Sequence, residues 1–233
     1  MSRGHWLRLA TLLTGLALAA SACGDSGSTA AAPRTTPSAP ATVGGSASAG
    51  GSATADVEHG TLGPAEQLVR VRKYGVGFGL PKGWFTLDAH NVLQRDNPVL
   101  QQVSKRTGTP PKQLVKSLSQ RVQTLSITDA DADHGFIDNV DSVGVPRRSF
   151  TDDQIKQELL SIGATTGPFR HVSSPAGDVT EVGYYWRANG QTIFGQLIAV
   201  DVGDAAVSIT VSSSNPHRAY RIAQEVQKTL QPL

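Results

Sequence analysis

One cysteine, Cys23, stands in 233 residues, so no disulfide can form within the chain, and stability must come from a packed core. Neither sign of charge is in surplus. The 21 Lys and Arg face 19 Asp and Glu, and two of the basic residues, Arg3 and Arg8, lie in a first stretch of 22 residues that holds no acid. What remains is balanced at 19 of each. A neutral chain gives no electrostatic footing for nucleic acid, which is excluded as a partner. The apolar run at the start, Leu9 to Ala20, has 12 residues, against the ~20 that a helix needs to span a hydrocarbon core of about 30 Å. No G-x-S-x-G nucleophile motif occurs. His90, His171 and His217 stand singly, without the count or spacing of a zinc site. No repeat is visible. The expectation is a chain with no catalytic residue, no metal and no cofactor.

What is present at the start has the order of a targeting segment: Arg3 and Arg8, then Leu9 to Ala20, then the small residues Ser21 and Ala22. Ala20-Ser21-Ala22-Cys23 resembles the bacterial lipobox, in which small residues precede a cysteine whose thiol receives a diacylglyceryl group. It departs from that pattern at Ala20, where Leu is commonest. The alternative is an A-x-A signal cut at the same bond, leaving Cys23 unmodified. Lipidation is favoured because a lone thiol in an exported chain needs an explanation and this one sits where the signal ends. Residues 1–22 are then a signal peptide cleaved between Ala22 and Cys23. The lipid on Cys23 would hold the protein at the extracytoplasmic face of the cell membrane, since two acyl chains anchor stably where one does not.

From Cys23 to residue 61 the chain is mostly Ser, Thr, Ala, Gly and Pro, a composition that cannot bury enough apolar surface to offset ordering. It reads as a tether of roughly 37 residues, with a mean reach of about 35 Å. Ser and Thr with Pro also permit O-glycosylation. Residues 62–233 make one domain of ordinary size. Val69 to Val71 and Gly75 to Leu80 read as a strand pair, followed by a Pro81-Lys82-Gly83 turn and a strand from Trp84 to Leu87. Asn97 to Arg106 and Pro111 to Ser119 read as helices. Val122 to Ile127 and Phe136 to Val145 read as strands. Thr151-Asp152-Asp153-Gln154 has capping-box spacing ahead of an Ile155, Leu159, Ile162 stripe that Gly163 ends. Phe169 to Ser173, Asp178 to Arg187, Gln191 to Val200 and Ala206 to Val211 read as strands, with Asn189-Gly190 as a hairpin turn. Asn215-Pro216 opens a last helix with Ala219, Ile222, Ala223, Val226 and Leu230 on one face. The pattern is α+β: a central antiparallel sheet flanked by helices.

Gly75-x-Gly77-x-Gly79 is no phosphate loop, because Leu80-Pro81 follows where a helix would have to open. Its period of two puts Val76, Phe78 and Leu80 on one face and glycines on the other, a strip to be covered by packing or approached by a ligand. Asp129 to Gly135 (DADADHG) lacks the Gly and Glu of a calcium loop at the sixth and twelfth positions and reads as a solvated acidic loop. Asp133 beside His134 has no nucleophile marked for it. Val182, Tyr184 and Trp186 share one strand face; Tyr185 and Arg187 lie on the other, and are of the types that anchor interfaces. Arg147-Arg148 reads as a solvated pair.

Gly77-Phe78-Gly79-Leu80-Pro81-Lys82-Gly83-Trp84 resembles the strand, Pro, Gly-Trp opening of PsbP-like domains. Gly135-Phe136-Ile137-Asp138-Asn139-Val140 is similar to the segment that enters their central sheet, and the late Tyr-Trp strand, hairpin and final helix follow in order. Among such domains the chain looks most like the LpqN and LpqT type of actinobacterial lipoprotein. The resemblance covers about 165 residues and implies an α/β/α sandwich, usually without catalytic activity. Members serve as binding or assembly partners, among them photosystem subunits, a Ran-binding protein and cell-envelope lipoproteins. The reading is a non-catalytic binding or scaffold module of the cell envelope, with Trp84, Tyr185 and Arg187 as candidate contact residues. Its partners would be the membrane, through the lipid, and an envelope protein or amphipathic lipid. A carrier of a lipid or glycolipid in an apolar cleft is the alternative, and a hydrolase a weaker one.

Overall fold

The computed structural model describes residues 60–93, 97–120, 122–133, 135–146, 150–188 and 190–233. Residues 1–59, with Ala22, Cys23 and nearly all of the stretches read as signal peptide and tether, lie outside them, as do His134, Arg147, Arg148 and Asn189.

The strands are β1 (Glu66–Val71), β2 (Val76–Pro81), β3 (Phe85–Asp88), β4 (Val122–Ile127), β5 (Asn139–Pro146), β6 (Thr165–Ser174), β7 (Gly177–Ala188), β8 (Gln191–Val202), β9 (Ala205–Ser213) and β10 (Gln231–Pro232). The helices are α1 (Pro98–Thr107), α2 (Pro111–Gln120), α3 (Asp152–Ser161) and α4 (Pro216–Lys228). Three of the four helices start at a side-chain cap. Asn97 accepts from the amides of Val99 and Leu100 ahead of Pro98, and Asn215 accepts from those of His217 and Arg218 ahead of Pro216. Thr151 and Gln154 complete the reciprocal capping box.

Seven strands pair antiparallel in the order β3-β4-β5-β9-β8-β7-β6. The run β6 to β9 is a meander that returns to lay β9 beside β5, so that Val140 faces Val211 and Asp141 faces Thr210. At the β6 edge a register shift between Thr166 and Phe169 spans Pro168 and interrupts the ladder, a device that blunts an open edge. The class is α+β, with two differences from the sequence expectation. The first strand pair stands apart, as a separate sheet β1-β2-β10 closed by Gln231 and Pro232. The strand expected from Phe136 begins at Asn139 instead. Asp133 and Phe136 exchange backbone hydrogen bonds around a turn at Gly135, whose φ of 78° is left-handed.

One sheet face carries Val140, Val179, Ile198, Val200, Val207, Ile209 and Val211, packed against Phe78, Leu80 and Trp84 and against Ile222, Ala223 and Val226 of α4. The glycine strip is filled from within. A Cβ on Gly77 would meet Leu233 at 2.8 Å and one on Gly79 would meet Leu62 at 2.7 Å, while the Gly79 amide donates to Thr229 Oγ1 at 2.7 Å. The opposite face is covered by α1 and α2 over Leu125 and Ile127, and by α3 over Val182, Tyr184, Trp186 and Leu197. No helix among the described residues is long and apolar enough to cross a membrane.

Candidate functional site

Between α2 and α3 the sheet floor is polar. In β9, Val207, Ile209 and Val211 point into the core under α4, so Ser208, Thr210 and Ser212 point to the other face. There they are 9 %, 3 % and 6 % exposed. β5 sets Asn139 opposite Ser212 and Asp141 opposite Thr210. Leu114 and Leu118 of α2 and Ile155 and Glu158 of α3 form the walls, with the rings of Phe136, Phe150 and Trp186. The hollow measures about 60 Å³, room for a water or two.

Tyr184 of β7 is buried under the same helix layer without lining the hollow. It pairs in register with Gly195 of β8, and a Cβ there would stand 2.2 Å from the phenol ring. Only glycine lets the ring cross β8, where it stacks on Trp186 with centroids 5.5 Å apart. Its hydroxyl is buried without a hydrogen-bond partner. Burial, and then the charges of Asp141 and Glu158, push its pKa above the ordinary phenol value, so both carboxyls act on this one oxygen. Burial pushes Asp141 up to about 7, and Glu158 above the usual carboxylate value. Among the described residues neither carboxylate has a hydrogen-bond or ion-pair partner, and no Lys, Arg or His lines the groove. The arrangement is a small, partly apolar hollow whose lining carries two carboxyl groups.

Elsewhere His171 is not isolated. Its Nδ1 lies 3.2 Å from Thr180 Oγ1 and its Nε2 lies 3.2 Å from Asp152 Oδ2. The His171 and Asp152 side chains are 63 % and 43 % exposed, so water competes for each contact. His90 and His217 are exposed. No group of three or more His, Cys, Asp or Glu among the described residues is placed to hold a metal ion.

The acidic loop divides into two parts. Asp129 and Asp131 are exposed, but Asp133 is not simply solvated. Arg218 Nη2 reaches Asp133 Oδ2 at 2.8 Å, and its Nε reaches Asp138 Oδ2 at 2.8 Å, tying the loop to the first turn of α4.

Of the candidate contact residues, Tyr185 and Arg187 are exposed and on one face of β7, with Tyr185 46 % exposed and its ring 6.5 Å from that of Phe194. Trp84, 8 % exposed, packs into the core. It precedes β3, at the far edge of the sheet from β7, so the three do not form one surface. Asp141 and Glu158, which the fold brings to one hollow, carry no joint mark in the sequence. The one local signal was Glu158, three residues after Ile155 and so within the apolar stripe of α3.

No family model matches the chain, and no curated protein matches it. Among solved structures it is similar to the cyanobacterial PsbP, CyanoP, of Synechocystis, at 11 % identity and a TM-score of 0.47 over 75 % of this chain and 98 % of that one. It is also similar to the Ran-binding protein Mog1p of Saccharomyces cerevisiae, at 9 % identity and a TM-score of 0.44, covering 72 % of this chain and 95 % of that one. A third is LpqN of Mycobacterium tuberculosis, involved in cell envelope biogenesis, at 10 % identity and a TM-score of 0.41, covering 71 % and 89 %. CyanoP and LpqN are of the kind that the sequence motifs resemble, and the α+β class itself stands on the strand order and helix placement described above.

Proposed function

We propose that the protein is an exported bacterial lipoprotein, held by lipid on Cys23 at the extracytoplasmic face of the cell membrane, whose folded unit is a non-catalytic binding or scaffold module of the cell envelope. The anchor is supported by the lone cysteine behind Ala20-Ser21-Ala22. The observation that carries the binding role is the exposed surface of Tyr185, the adjoining Phe194 ring and Arg187 on β7 and β8. Aromatic and arginine side chains are the usual anchors of protein contacts, and a lipid tether raises the local concentration of even a weak binder. A carrier for a whole lipid needs an apolar cavity of several hundred Å³; the apolar groove is about 60 Å³, and the larger hollows of about 400 and 470 Å³ are lined by polar and charged side chains such as His171 and Asp178, or Lys105 and Asp131. A hydrolase needs its relay shielded from water, and the His171–Asp152 pair is open to it.

The test compares the native chain with Cys23→Ala and Tyr185→Ser in membranes of the producing bacterium. The native protein should fractionate with membranes and carry a diacylglyceryl mass on Cys23, and Cys23→Ala should be released. Tyr185→Ser should leave stability within about 1 kcal/mol while weakening capture of a cross-linked envelope partner at least tenfold. An unmodified Cys23 thiol on freely shed protein overturns the anchor. Unchanged capture by the Tyr185 variant overturns the binding surface.

A further inference from the structure

The glycine face of β2 is the outer face of the small sheet, since Val76, Phe78 and Leu80 point into the core. What lies on it is amphipathic. A Cβ on Gly77 would meet Leu68 and Leu233, and one on Gly79 would meet Leu62, so three leucines share this face. Leu62 and Leu68 are half-buried, and Leu233 is 52 % exposed. Arg70 pairs in register with Gly77 and is exposed between the buried Val69 and Val71, so it points the same way. Arg72 and Lys73 are exposed in the turn from β1 to β2, where the Leu233 amide donates to the Gly75 carbonyl at 2.9 Å. Residues 60–83 hold four basic residues and one acid, Glu66, which accepts from the Gly63 amide. From 84 to 214, by contrast, 14 Asp and Glu face 11 Lys and Arg. The positive charge is therefore gathered at the small sheet.

The place where the chain enters the fold selects the occupant. The Gly60 amide donates to the carbonyl of Lys228, an exposed residue at the end of α4, at 2.9 Å, and a Cβ on Gly60 would stand 3.7 Å from Gln231 in β10. The segment that leads back to Cys23 thus leaves from the edge of this same face. We propose that the outer face of β1-β2-β10 docks on the anionic phospholipid surface of the membrane, with Leu62, Leu68 and Leu233 in the headgroup region and Arg70, Arg72, Lys73 and Lys228 on lipid phosphates. Leucines at the boundary and basic side chains reaching the phosphates are the two contributions that hold a protein on a bilayer surface. The proposal deepens the reading of a lipid-tethered protein and rests on it for the nearness of a membrane, but the face itself is built without Cys23. Docking would keep the folded unit against the bilayer instead of at the end of its tether.

The experiment floats the full chain carrying Cys23→Ala, which cannot be lipidated, with vesicles of phosphatidylcholine alone or with about one third phosphatidylglycerol. It should bind the anionic vesicles at least tenfold tighter than the neutral ones, and the difference should collapse in high salt. Arg70→Gln, Arg72→Gln and Lys73→Gln should each weaken binding about fivefold, and Leu233→Ser several-fold. A control triple, Lys105→Gln with Lys112→Gln and Lys156→Gln, removes the same charge from the helices of the opposite face and should change binding less than about twofold. Attachment through the apolar run Leu9 to Ala20 would be blind to lipid charge. The proposal is overturned if anionic and neutral vesicles bind alike, the result an acidic protein partner would give. It is also overturned if the Arg70, Arg72 and Lys73 triple, shown folded by its amide spectrum, binds no more weakly than the control triple. The lipid on native Cys23 is read separately by mass, so a missing anchor and a missing docking face are distinct results.

Discussion

Replacing Asp141 by Asn should stabilise the folded unit at pH 8 and leave it nearly unchanged at pH 4. Burial raises the carboxyl from 3.8 to about 7, so between these values the native state holds a proton that the unfolded chain has released. Stability falls with rising pH wherever the native state binds more protons. For this group it is therefore greatest below about pH 4, declines as the pH climbs towards 7, and stays reduced above it. A rise of about three, at about 1.4 kcal/mol per pKa unit, sets a ceiling near 4 kcal/mol. Asp141 is half-buried, and water reaching the groove will lower that figure, so about 2–4 kcal/mol is the expected gain. Asn keeps the shape of the protonated acid and has no proton to lose.

Urea unfolding at pH 4, 6 and 8 reads the effect. The midpoint of the native protein should drop across the series while that of Asp141→Asn stays flatter, with m unchanged in both. At pH 8 the gain corresponds to about 4–16 °C in Tm for a domain of this size. Glu158→Gln should act in the same direction, because burial also raises that carboxyl. Equal midpoints for Asp141→Asn and the native chain at pH 8, or a variant that keeps the full pH slope, would refute the claim that Asp141 is buried without a compensating charge.

Two further predictions concern how the layers are joined. Thr229→Val removes the hydroxyl that accepts from the Gly79 amide at 2.7 Å; the stranded buried amide should cost about 1–3 kcal/mol, seen as a lower urea midpoint. Arg218→Ala leaves Asp133 and Asp138 facing each other without the guanidinium that holds both at 2.8 Å. With Arg218 32 % exposed, the loss should be about 1–3 kcal/mol, below that of a fully buried pair, and it should shrink in high salt. A Tm that Arg218→Ala leaves unmoved would show the contact to be a passive surface pair.

The parts legible in the sequence were those fixed by neighbours along the chain. Asn97-Pro98, Thr151 to Gln154 and Asn215-Pro216 mark helix starts because a cap needs only three or four residues. The period-two alternation of β7 likewise separated Tyr184 and Trp186, which are buried, from Tyr185, which is exposed. What was not legible depends on distant pairing. Gln231 and Pro232 close the small sheet against Val76 and Gly77, and Arg218 reaches back to Asp133 and Asp138. Neither partner is marked locally for the other.

The groove shows why this distinction matters for function. In β9 the alternation of Val207, Ile209 and Val211 with Ser208, Thr210 and Ser212 has the pattern of a strand with one wet face. Read alone, it directs the hydroxyls to solvent. Yet α2 and α3 lie over that face, and the three hydroxyl residues are buried beside Asp141. A polar row on a covered face runs against the pattern that would best stabilise the fold, and such local conflicts are tolerated mainly where a site needs them. The same conflict recurs at Glu158, inside the apolar stripe of α3, and at Tyr184, whose hydroxyl is buried without a partner. The hydroxyl row of β9, Asp141 of β5 and Glu158 of α3 come from three separate elements and line one hollow, and independent errors of packing would have no reason to meet there.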